Sequence, residues 1–104
     1  MAETQVDLTG KDTFAYRTTI AAGNNVVLRL RQSQLTKSIR AFVTGSATAT
    51  VSVSSSAIAA IAGGSANWTQ LHSANSAYSG DLTGVITGLN VAAATDVVTL
   101  EVLQ

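Results

Sequence analysis

The sequence predicts an all-β protein, an antiparallel β-sandwich or jelly roll of six to eight short strands in one domain. Three observations carry this reading. Apolar and polar residues alternate with a period of two through most of the chain, as half-buried strands require. Turn residues interrupt the alternation at a spacing of about 8–12 residues, the rhythm of sandwiches. The length of 104 residues fits one core, with residues 1–12 as an extended N-terminal arm. Cys and Pro are both absent, so no disulfide framework is available and the turns must be made by Gly and Asn.

The elements follow in order. Phe14, Tyr16, Thr18 and Ile20 share one face of a first strand, which ends at Ala22-Gly23-Asn24-Asn25. Val26, Leu28 and Leu30 then point inward, with Val27, Arg29 and Arg31 outward. The Gly-Asn-Asn turn tolerates positive φ, so these two runs read as a hairpin. A third run places Ile39, Ala41 and Val43 on one side and Arg40 and Phe42 on the other. After Gly45-Ser46, residues Thr48 to Ser54 alternate cleanly, and their β-branched and serine content argues against helix. Residues 55–66 read as an irregular or short helical excursion ending at Gly63-Gly64. Asn67 to Leu71 resumes the alternation, with Trp68 as the largest core candidate, and Ser73 to Ser79 reads as a polar loop. Leu82–Leu89 and Asp96–Leu103 supply the last two or three strands, the second run with Val98, Leu100 and Val102 on one face and Val97, Thr99, Glu101 and Leu103 on the other.

Charge is scarce and segregated. Charged residues make up 12% of the chain, about half the roughly 25% usual for globular domains. All six basic residues (Lys11, Arg17, Arg29, Arg31, Lys37 and Arg40) lie between positions 11 and 40, opposed there only by Asp12. The remaining acids are Glu3, Asp7, Asp81, Asp96 and Glu101, and residues 41–80 carry no Asp, Glu, Lys or Arg. A freely diffusing domain usually keeps a mixed charged surface for solubility. This distribution suits a subunit that docks on something, with Arg17, Arg29, Arg31, Lys37 and Arg40 as candidate contacts for an acidic protein partner. Solvated strand faces explain the same residues in the plainer reading.

Candidate chemistry is sparse. His72 is the only histidine, and Asp81 is the only acid within 20 residues of it, which leaves no orienting carboxylate pattern for a nucleophile–base pair. Asp81 and Asp96 both sit beside turns, where carboxylates accept local backbone hydrogen bonds, and no Asp-x-Asp calcium loop is present. Gly63-Gly64 lacks the Gly-Lys-Ser/Thr of a phosphate loop. Asn67-Trp68-Thr69 matches a glycosylation triplet that matters only in a secretory setting. Zero net charge and the lack of aromatics interleaved with the arginines argue against nucleic acid. The expectation is a protein that is not an enzyme and holds no cofactor or metal. With no apolar signal-peptide core and no apolar run longer than Ala57–Ala62, it is expected to be made in the cytoplasm and to avoid membranes.

The second half of the chain resembles small β-sandwich structural proteins of tailed-bacteriophage virions. The layout that carries the resemblance is a Thr/Val strand at Thr48–Val53, a Trp strand at Asn67–Leu71, a Gly-flanked strand at Gly84–Val91 and a closing strand at Asp96–Gln104. The Ala57 to Ser65 stretch departs from that pattern, where such proteins have a Gly/Asp-rich turn. The resemblance implies a virion location and a capsid decoration, or cement, protein. Its partners would be copies of itself, in a trimer or another symmetric assembly, and a major capsid or other virion protein. The alternatives are a small tail, neck or fibre component, or a jelly-roll carbohydrate-binding module in which Trp68 or Tyr78 stacks on a sugar.

Overall fold

A computed structural model of the chain describes residues 3–7, 15–30, 36–54, 68–83 and 88–103. These form nine strands: β1 (Glu3–Asp7), β2 (Ala15–Ile20), β3 (Asn25–Arg29), β4 (Thr36–Val43), β5 (Thr48–Ser54), β6 (Thr69–Ala74), β7 (Tyr78–Thr83), β8 (Gly88–Ala94) and β9 (Val98–Leu103). The count exceeds the expected six to eight because Glu3–Asp7, expected as an arm, is itself a strand, and the expected loop before Ser79 contains strand at both ends. The expected excursion at 55–66, as well as Phe14 and Arg31, lie outside the described residues.

The strands form a five-stranded sheet, β1-β3-β8-β5-β6, and a four-stranded sheet, β2-β9-β4-β7. All pairings are antiparallel except β1 with β3, which run parallel from Glu3↔Asn25 to Asp7↔Arg29. One face of each sheet is apolar, and the two faces pack together as a sandwich, the expected fold class. The core is aliphatic: Ile20, Leu28, Leu30, Ile39, Leu89 and Leu100 are its largest fully buried side chains, backed by Val51, Val91, Val98 and Val102. The alternation read from the sequence predicts most of these positions.

Connectivity departs from the sequence reading. Strands β2 and β3 do not form a hairpin, because they belong to opposite sheets. The intervening turn, with Gly23 at φ 82°, carries the chain across the sandwich. It is fastened to the end of β8, where the Gly23 amide donates to the Ala93 carbonyl (2.9 Å) and the Ala93 amide to that of Asn24 (2.9 Å). Side-chain alternation fixes which face of a strand is buried but not which strand lies beside it, so two adjacent runs joined by a Gly-Asn turn mimic a hairpin. Only β5 and β6, among consecutive strands, share a sheet.

Two further expectations are corrected. Trp68, the expected core aromatic, is only half-buried just ahead of β6, and the core does without it. The segment Ser73 to Ser79 is not one loop: β6 runs through Ala74 and β7 begins at Tyr78. Its hydroxyls mislead because they line a solvent-facing strand surface, where Thr50 and Ser73 share a hydroxyl–hydroxyl hydrogen bond of 3.1 Å.

At one end of the sandwich the turns between β4 and β5, β6 and β7, and β8 and β9 interlock. The Asn75 amide donates to the carbonyls of Gly45 (3.2 Å) and Ala47. The Thr44 amide and hydroxyl both donate to the Val97 carbonyl. Thr95, at φ 68°, donates its hydroxyl to the Ser46 carbonyl. Gly45, at φ 54°, lies directly under the Asp96 carboxylate.

Candidate interaction surface

The outer face of the four-stranded sheet is built by alternation. In β9, Val98, Leu100 and Val102 are buried, which turns Thr99, Glu101 and Leu103 outward. In β4, Ile39 and Ala41 are buried, which turns Ser38, Arg40 and Phe42 outward. In β2, Ile20 is buried and Ala15, Arg17 and Thr19 are exposed. Cross-strand register then sets these residues in rows. One row reads Arg17, Glu101, Arg40 and Ser79, and the next reads Ala15, Leu103, Ser38 and Asp81.

Glu101 therefore sits on the strand between two arginines. The Arg17 Nε lies 3.6 Å from a Glu101 carboxylate oxygen, and both side chains are open to solvent. Such a pair contributes on the order of 0.5 kcal/mol or less. In the adjoining row the Ser38 hydroxyl donates to Asp81 (2.6 Å). Flanking the charges are Phe42 and Leu103, 41% and 47% exposed, two of the three large hydrophobic side chains most open to water among the described residues. A shallow cavity of about 250 Å³ opens between the rows, walled by Arg17, Ser38, Arg40, Glu101 and Leu103 among others.

The five basic residues expected at a partner contact are thus divided. Arg17 and Arg40 meet on this face. Arg29 is exposed on β3, in the other sheet, and pairs in register with Gly88 and Asp7. Lys37 falls within β4, but its side chain, like all of Arg31, lies outside the described residues. Sequence reasoning missed Glu101, Ser38 and Leu103 as members of the surface. The alternation of Asp96–Leu103 already turned Glu101 and Leu103 outward, but nothing local indicates that β9 runs between β2 and β4.

The residues weighed for chemistry stand apart from one another. His72 packs against the Tyr78 ring (centroids 5.5 Å apart), with its Nε2 3.0 Å from the Ser76 carbonyl oxygen. Asp81 accepts the Ser38 hydroxyl, and Asp96 accepts the Val97 amide at 2.8 Å, the local backbone role expected of a turn acid. Among the described residues no three His, Asp or Glu side chains gather where they could hold a metal ion.

No family model matches the chain, and no curated protein matches it. Among solved structures, similarity extends over 97% of this chain and 96% of a periplasmic inhibitor of g-type lysozyme, PliG, from Aeromonas hydrophila (TM-score 0.48, 11% identity). It also extends over 90% of this chain and 89% of a Bacillus endospore appendage protein, described as a family of disulfide-linked pili (TM-score 0.46, 14% identity). At these values the likenesses are of general architecture, and no function passes with them.

Proposed function

We propose that the chain is a structural subunit that works through protein–protein contacts, and that its setting is a tailed-bacteriophage virion, most specifically as a capsid decoration protein. The observation supporting the contact role is the outer face of the four-stranded sheet, where Phe42 and Leu103 stand exposed beside the row Arg17–Glu101–Arg40. Exposed apolar side chains grouped with charges that fix orientation are what a docking surface needs. The virion setting is supported by the resemblance of residues 48–104 alone. A chain with no charged residue from 41 to 80 fits a subunit held in an assembly better than a catalyst.

The test is cofractionation. Particles assembled with and without the chain are banded on a density gradient, analysed by mass spectrometry and heated until they release DNA. The chain should band with heads, and heads lacking it should open at a lower temperature. Recovery only in the soluble fraction, or specific retention on a glycan array through Trp68 or Tyr78, would overturn the proposal. Location of the chain at the neck, tail or fibre by electron microscopy would replace the decoration role with the other virion roles.

A further inference from the structure

The same outer face carries a second, more specific piece of information, which concerns what it fits. An acidic partner is a poor match, because the two arginines on this face are offset by two acids, Glu101 and Asp81. Among the described residues the face has no excess of either sign. It is instead complementary to itself.

The register shows how. Glu101 on β9 and Arg40 on β4 are cross-strand neighbours at the middle of the sheet. Rotating a second copy by half a turn about an axis parallel to the strands, between β9 and β4, lays β9 over β4 and keeps every row aligned. Each Glu101 then faces the second copy's Arg40, twice over by symmetry. Rotation about the perpendicular in-plane axis would set Arg17 on Arg17 and Arg40 on Arg40. Charge therefore selects one of the two simple arrangements. The selected one also covers Phe42 with the second copy's Thr99, and Leu103 with Ser38. The Arg40 side chain has no hydrogen bond or ion pair with another described residue, so the contact supplies it with a partner.

The geometry points to the outer face of the four-stranded sheet as a two-fold interface between copies of this chain, with the axis along the strands between β9 and β4. This deepens the proposed contact role by naming the occupant, and it does not depend on the virion setting. Four strands at about 4.8 Å and six residues at about 3.3 Å give a face of roughly 20 by 20 Å, or about 400 Å² per copy. That is about half of the roughly 800 Å² per partner of a standard stable interface. The pair is accordingly concentration-dependent, one contact of several in an assembly.

Sedimentation equilibrium from micromolar to about millimolar chain tests this, with circular dichroism confirming that each variant is folded. The mass of the wild-type chain should rise with concentration from 10.6 kDa towards twice that value. Arg40→Glu and Glu101→Arg should each weaken association about tenfold or more, since each sets like charges face to face. Mixing the two single variants should restore association, because each then carries the charge that the other lacks. Arg29→Glu, the same charge change on the opposite sheet, should leave association unchanged. If three arginines in one row prevent Glu101→Arg from folding, Leu103→Asp perturbs the same face and should give the same weakening. A monomer at all concentrations, a three-fold species, or association insensitive to Arg40→Glu would overturn the inference. The gradient experiment is read separately, so particle binding by a chain that stays monomeric would leave the contact role standing and remove only this interface.

Discussion

Replacing Gly45 with Ala isolates the constraint that closes one end of the sandwich. Gly45 holds φ at 54°, a left-handed conformation that costs an L-residue about 1–2 kcal/mol. The added Cβ would also collide with the Asp96 carboxylate, which lies over the glycine and accepts the Val97 amide at 2.8 Å. Swinging the carboxylate aside sacrifices that hydrogen bond, worth about 1–1.5 kcal/mol. Reduced freedom of the unfolded chain returns about 0.5–1 kcal/mol. The net expectation is a loss of about 2 kcal/mol, or a fall in Tm of roughly 10 °C for a domain of this size. Urea denaturation of Gly45→Ala, Asp96→Ala and the double variant forms the assay. Asp96→Ala alone should cost about 1–2 kcal/mol, and in its presence Gly45→Ala should cost only the backbone strain. The double variant should therefore be more stable than the sum of the single effects implies, by about 1 kcal/mol. Additivity within about 0.3 kcal/mol would show that the carboxylate does not restrict Gly45 and would refute the reasoning.

Two other perturbations test the core and the N-terminal strand. Leu100→Ala, at a fully buried position in β9, should cost about 3–4 kcal/mol in urea denaturation, whereas Thr99→Ala, one residue away on the outer face, should stay within about 0.5 kcal/mol. Asn25 donates to Glu3 (3.2 Å) and to Asn90 (3.1 Å), tying β1 and β8 to β3, so Asn25→Ala should cost about 1–2 kcal/mol and raise hydrogen exchange in β1 before the rest of the sheet.

The buried faces of β2, β3, β4 and β9 were legible because burial follows a local rule, the period-two alternation. It worked for Ile39 and Ala41 against Arg40 and Phe42, and for Val98, Leu100 and Val102 against Thr99 and Glu101. Val27 is the instructive failure. Alternation turned it outward, and it stands on the opposite side of β3 from Val26 and Leu28, yet it is only 3% exposed. Pairing was not legible, because nothing local distinguishes a turn that folds a strand back on its neighbour from one that lifts it to the opposite sheet. The Gly-Asn-Asn turn after Ile20 has the composition of the first and does the second. That same ambiguity hid the interaction surface. Arg17 and Arg40 stand out in the basic segment, but Glu101 lies in the acidic C-terminal part, 84 positions away from Arg17 in sequence and one strand away in space.

Among the described residues the fold brings acids from the second half of the chain beside the basic segment, Glu101 between Arg17 and Arg40, and the two outer faces differ in what this leaves unpaired. On the five-stranded sheet, Asn25 bonds Asn90 and Thr50 bonds Ser73 across strands, so these outward polar groups already hold partners within the sheet. Covering these four side chains would remove water from groups that gain no new partner, which offers little free energy. On the four-stranded sheet, Phe42 and Leu103 remain in water and Arg40 lacks a charged partner among the described residues. Covering that face removes apolar area from solvent at about 25 cal/mol per Å² and gives Arg40 a carboxylate. The third exposed hydrophobic, Leu71, sits at the bulge in β6 where the β5 register shifts between Val51 and Ser52, isolated from the other two. Of the two faces of this sandwich, the one that gains from contact is the one where β9 has carried an acid in between two arginines.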